Sequence, residues 1–288
     1  MRVSSTLVRG DGSAIASHIG SMSSNAALNV LVLMSLGADH TALLNAVKEA
    51  SIQCPVYLTE TYGVIGYDVE AQRHVELMEK GRGSEYGFKG GSGGQGCLVI
   101  AYSEGAVAGH TAEFPSDASS LLVVADGSKS FARVADRAPL HYGGITKEAF
   151  VRRDDGTLEP VPFFWVASPT KSEPTGVATF TEDAGGAASS LLTKVPQGWK
   201  PASVGLFPCF TRGVNLYDAE DVESTAIGTA LQGEASGARI YGMFAHGELG
   251  PSDFAGFTSE ATAVPHEQHS MTSILTVHTR PADEKDEV

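Results

Sequence analysis

The sequence predicts a layered α/β fold built of two lobes, with an α+β arrangement as the alternative, and three observations carry that reading. Residues 28–66 order an apolar run, a helical stretch and a second extended run, which favours a βαβ unit with a right-handed crossover. Residues 202–245 repeat the strand–helix–strand order. Elsewhere, short apolar runs are joined by links of hairpin length.

Taken in order, residues 1–25 are small and polar and read as a flexible start. "LNVLVLMS" (28–35) is a continuous apolar run with β-branched residues, the pattern of a buried strand. "HTALLNAVKEAS" places Leu43, Leu44, Val47 and Ala50 at helical spacing behind an Asp39 or Thr41 N-cap. "CPVYLTETYGVIG" (54–66) returns to extended character. "GRGSEYGFKGGSGGQG" (81–96) is glycine-rich and reads as a mobile loop, because ordering it costs unusual backbone entropy. It lacks the GK[S/T] ending of a P-loop. Residues 97–105 and 119–127 read as strands, "DGSKSFARVADR" as a short capped helix, and 162–168 and 175–180 as further extended segments.

"DAGGAASSLLTKV" is helical despite Gly185 and Gly186. Residues 202–210 form a strand that Pro208 argues against placing centrally. Asp218 is positioned to cap the helix that follows, whose apolar stripe is Val222, Ala226, Ile227, Ala230 and Leu231. Residues 238–245 and 271–279 close the set of strands. The domain reading is a start at 1–25, lobes at 26–150 and 151–280, linker candidates near 141–160, and an acidic tail at 281–288.

The chain has 288 residues, 42% of them hydrophobic, which is enough to bury a sizeable core. A net charge of −14 without a Lys/Arg cluster argues against nucleic acid or an anionic membrane as the main partner. Three scattered cysteines make neither a disulfide framework nor a CxxC zinc site. No cofactor or metal motif is present. The first residues lack the apolar core of a secretory signal, and no apolar stretch reaches the ~20 residues of a membrane span. The reading is a soluble, cytoplasmic protein.

The densest candidate site is "YGMFAHGELGP" (241–251). If 202–210 and 238–245 are parallel, their C-terminal ends share one sheet edge, where open α/β folds place ligands. That brings Thr211, Arg212 and Gly213 near His246, Gly247 and Glu248. Arg212 offers a planar fork for a carboxylate or phosphate. Glu248 balances that charge or acts as an acid/base group, and Gly247 and Gly250 admit a ligand close to the backbone. Thr59 and Thr61, from the 59–63 loop, complete the ligand-binding set. The plainer alternatives are an Arg212–Glu248 ion pair tying two loops together, a turn histidine at 246 and an inert buried Cys209.

These residues carry a resemblance. "VGLFPCFTRGVNLYDAEDVESTA" followed by "ARIYGMFAHGELGP" resembles the C-terminal half of the FIST domain, named for F-box and intracellular signal transduction proteins. Phe207, Cys209, Arg212, Gly213, Glu223, Gly242, Gly247, Glu248 and Gly250 occupy its motif positions, and His269, Ser270, Thr272 and Ser273 match its closing strand. Residues 26–105 follow the N-terminal half, with Tyr57-Leu58 where that family has Gly-Cys. The resemblance implies a cytoplasmic sensory domain that binds small ligands such as amino acids. Residues 1–25 read as too short and too polar to form the helices of an F-box.

The leading functional expectation is therefore a module for a small anionic or zwitterionic metabolite. A second is an enzyme on the same scaffold, with Cys209 or Glu248 as nucleophile or base and His246 moving a proton. A third is a protein-interaction scaffold of the ubiquitin-ligase type.

Overall fold

A computed structural model describes residues 2–9, 12–23, 28–37, 39–78, 96–103, 105–116, 118–127, 140–169, 174–232, 237–252, 255–257 and 265–284. The expected 81–96 loop, except Gly96 at the start of a strand, and most of the helix expected at 126–137 lie outside these residues.

The first sheet runs edge to edge through β1 (Arg2–Arg9), β6 (Gly96–Ser103), β2 (Leu28–Leu36), β3 (Val56–Glu60), β10 (Glu148–Arg152) and β11 (Leu158–Pro160). A second contains β18 (His266–His269), β16 (Glu248–Pro251), β9 (His141–Ile145), β8 (Ala118–Ala125), β12 (Phe163–Pro169) and β7 (Val107–Gly109). The third runs β17 (Ala255–Phe257), β13 (Thr175–Phe180), β19 (Ser273–Pro281), β14 (Trp199–Pro208), β15 (Arg239–Phe244), β4 (Gly63–Asp68) and β5 (Arg73–Met78).

This corrects the expected α/β sandwich. Among the described residues 51% are strand and 20% helix, and the three sheets are mixed. Parallel pairing occurs between β2 and β3, β14 and β15, and β8 and β9, while the other strand pairs are antiparallel. The physical reason lies in the links: most strands are joined by connections too short for the helical crossover that parallel pairing needs. Residues 2–9 and 12–23, expected as a flexible start, form β1 and helix α1 (Gly12–Ser23), because Ile15 and Ile19 bury one helix face and Leu7 packs into the core.

The two expected halves interleave. β4 pairs with β15, β9 with β16, and β10 with β3, so every sheet takes strands from both sides of residue 150. The inner faces of all three sheets share one core, in which Val32, Ile100, Leu122, Phe164, Phe207, Met243 and Ile274 are buried. Helix α1 and α2 (His40–Glu49) cover the first sheet, and α3 (Ala184–Leu192) and α5 (Val222–Gln232) cover the third. The expected cap holds on α2, where Asp39 accepts from the amides of Thr41 (2.8 Å) and Ala42 (3.4 Å). Asp218 does not cap α5. It has φ 55° and ends the short helix α4 (Val214–Tyr217).

β14 lies inside its sheet, between β19 and β15. Pro208 is accommodated because it is the last residue of the strand, where its missing amide costs little. The β14–β15 pair is held close by Gly242, where a Cβ would meet the Leu206 carbonyl oxygen at 1.8 Å. Backbone cannot yield as a side chain does. Gly242→Ala should therefore cost about 1–3 kcal/mol in urea unfolding, and a change below about 0.5 kcal/mol would show that the sheet opens freely.

Candidate functional site

The parallel pairing of β14 and β15, spanned by α5, brings their C-terminal ends to one edge as the sequence implies. Cys209 and Ala245 extend the pair by one bridge, with Phe210 N donating to Ala245 O at 2.8 Å. The 266–272 segment closes on the same edge, where Cys209 N donates to Thr272 O at 3.0 Å. From the second sheet, His246 N donates to Ile145 O (2.8 Å) and Ile145 N to Gly247 O (2.9 Å). Three strand ends and their turns thus converge.

Between them lies a cleft of about 890 Å³. It is lined by Glu60, Tyr62 and residues 145–148, by Cys209, Phe210, Thr211, His246 and Gly247, and by Gln268 to Met271. Lys147 Nζ lies 3.1 Å from Glu60 Oε1 and 5.4 Å from the centre of the Tyr62 ring. His246 is exposed and packs edge-on to Phe210 (5.1 Å) and against Tyr62 (5.7 Å). The cleft therefore combines a balanced cation–carboxylate pair with aromatic surface.

Glu248 sits just beneath, on β16, with no exposed surface. Its Oε2 accepts from Thr272 N (3.2 Å) and Thr272 Oγ1 (2.9 Å), while Oε1 has no hydrogen-bond partner among the described residues. Burial pushes its pKa up to about 7, against the opposing effect of the Thr272 donors and the adjacent Cys209 thiol. Cys209 is raised too, first by burial and then by the Glu248 charge. Its sulfur accepts from Thr211 Oγ1 at 3.1 Å.

Arg212 does not line the cleft. It is 1% exposed, and all five of its donors are committed. Nε reaches Glu223 Oε1 at 2.6 Å and Nη2 lies 2.5 Å from the same oxygen. Nη1 donates to the carbonyls of Thr181 (2.6 Å) and Met271 (2.9 Å), and Nη2 to Tyr217 Oη (2.7 Å). Glu223 also accepts from Ser273 Oγ at 2.8 Å. The expected ligand fork is thus a buried strut that ties α4, α5 and the Met271 turn together. Its partner is Glu223 rather than Glu248.

The threonines are structural as well. Thr59 Oγ1 donates to Glu148 O (2.7 Å) and lies 2.8 Å from Thr146 Oγ1; Thr61 Oγ1 donates to Gly63 O at 2.8 Å. Both are fully buried and hold up the wall from behind. Gly213, at φ 58°, opens helix α4 where a Cβ would come within 2.7 Å of Met78 Sδ, so it too supports rather than lines. Gly247, at φ 142°, does line the cleft.

Lys147, Glu60, Tyr62 and Phe210 are among the cleft residues that sequence reasoning missed. Glu60 and Tyr62 lie in the 59–63 loop beside Thr59 and Thr61, whose hydroxyls were the expected ligand contacts. Lys147 fell in a stretch read as a linker. Among the described residues no group of three or more His, Cys, Asp or Glu could hold a metal ion, and no helix is long and apolar enough to cross a membrane. No protein-family model matches this chain, and no curated protein matches it.

Proposed function

We propose that the chain is a small-molecule-binding, sensory module of FIST type, and that its ligand is a zwitterionic metabolite of amino-acid size held in the cleft. One observation carries this reading: Lys147 and Glu60 form a neutral, partly buried pair on the wall of a cleft large enough for such a ligand. A zwitterion inserted there exchanges one ion pair for two, its carboxylate meeting Lys147 and its ammonium Glu60, so no charge is left unpaired. The aromatic surface of Tyr62 and Phe210 receives the apolar remainder. The motif residues Cys209, Gly247 and His269 line the same cleft, which supports the family resemblance. The unpaired cysteines suit a reducing cytoplasm.

The test is calorimetric titration with a panel of L-amino acids. At least one should bind, and Lys147→Ala should weaken it about ten- to a hundredfold, the worth of one charge-assisted hydrogen bond. Binding that ignores Lys147→Ala, or no binding across the panel, would overturn the proposal.

A further inference from the structure

We propose that Cys209 and Glu248 form a reactive pair on the floor of the cleft, which captures an α,β-unsaturated carbonyl compound covalently. The inference deepens the reading of the cleft as a ligand site and rests on it. Three features single out Cys209 among the cysteines. It lines the cleft, whereas Cys97 is sealed in the core and Cys54 lies elsewhere on the first sheet's outer side. Its sulfur receives the Thr211 hydroxyl at 3.1 Å, and the amides of Thr211 and Met271 also donate toward it. Hydrogen bonds of this kind favour the charged sulfur. Beside it, a wholly buried Glu248 keeps one oxygen without a hydrogen-bond partner among the described residues, while Thr272 fixes the other.

Burial raises both groups, Glu248 to about 7 and the thiol above its ordinary value, so the proton rests on sulfur and the neighbouring carboxylate is there to take it as sulfur bonds to the ligand. In the forward step, the Sγ proton moves to the Glu248 carboxylate as sulfur bonds to the β-carbon. The alkene electron pair shifts to give an enolate, and the proton then passes from Glu248 to the α-carbon. A thiol has added across a double bond; nothing is oxidised and no group leaves. The walls suit this ligand class. Tyr62 and Phe210, with ring centres 5.2 Å apart, offer flat surface to a conjugated plane, and Lys147 offers a cation for the carbonyl oxygen.

The experiment is intact-mass spectrometry with peptide mapping, on the full chain exposed to limiting acrolein or N-ethylmaleimide. Cys209, only 4% exposed, should be labelled before the more accessible Cys54. Glu248→Gln should slow labelling of Cys209 on the order of a hundredfold, the contribution of a general base, and leave the rate at Cys54 unchanged. An unlabelled Cys97 verifies that the variant is folded. Faster labelling of Cys54, or a Cys209 rate indifferent to Glu248→Gln, overturns the proposal. Titrating Cys209→Ser with the L-amino acid panel reads the cleft separately. Reversible binding without any wild-type adduct removes covalent capture alone, whereas absence of binding in both proteins removes the ligand cleft itself.

Discussion

Arg212→Met should destabilise the protein by about 3–5 kcal/mol, the cost of stranding a buried charge by removing its partner. The methionine fills much of the volume but satisfies none of the groups that Arg212 serves: the Glu223 carboxylate, the Tyr217 hydroxyl and the carbonyls of Thr181 and Met271. Glu223 would be left 1% exposed with Tyr217 and Ser273 as its remaining donors. Arg212→Lys should fall between the two, because an ammonium keeps the charge but cannot span both carbonyls and the carboxylate. The double variant Arg212→Met/Glu223→Gln should recover part of the loss, since it removes the stranded charge. Urea unfolding measures all three. Any L-amino acid that binds the wild type should bind the folded fraction of Arg212→Lys with undiminished affinity, because Arg212 does not line the cleft. Full stability accompanied by lost binding would return Arg212 to the ligand.

The same residue marks where sequence reasoning stops. The strand–helix–strand period from 202 to 245 gave the parallel pair and the shared edge, because buried strands and amphipathic helices imprint their periods on the chain. It brought Arg212 and Glu248 to one end of the molecule. It could not say which way either side chain turns, since that depends on the Met271 turn and on Thr181, contributed from far along the chain. The α5 stripe shows the limit too. Its fully buried face includes Glu223 and Ser224 beside Ile227 and Leu231, so a count of apolar residues displaced the face and hid the carboxylate that Arg212 needs. The sheet-rich character was missed for a related reason. β9 reads "HYGGI" and β16 "ELGP", and strands this short and rich in glycine carry no alternation to detect. Gly143, at φ 135° with the Val123 carbonyl 2.0 Å from where a Cβ would stand, is required by close strand contact that only the folded sheet reveals.

Glu248→Gln should make stability less dependent on pH, with the variant gaining on the wild type as pH rises. In the folded chain burial raises the Glu248 pKa from 4.5 to about 7. Below pH 4.5 the group is protonated in both folded and unfolded chains, and its burial carries no charge penalty. Between 4.5 and about 7 the unfolded chain releases this proton while the folded chain keeps it. The folded state then binds more protons, and stability falls with rising pH. Above about 7 the full penalty is present, about 3 kcal/mol for a shift of this size. Glutamine accepts from Thr272 as the carboxylate does and never ionises, so it escapes the penalty. Glu76 is also buried and also pushed up to about 7, chiefly by burial, so the wild-type curve contains both groups and only the difference between the two proteins isolates Glu248. That difference, from urea midpoints at pH 5 and pH 8, should grow by about 1–3 kcal/mol in favour of the variant. A difference that stays flat, or that turns toward the wild type at pH 8, would mean that Glu248 is ionised throughout and that no proton is held on the floor of the cleft.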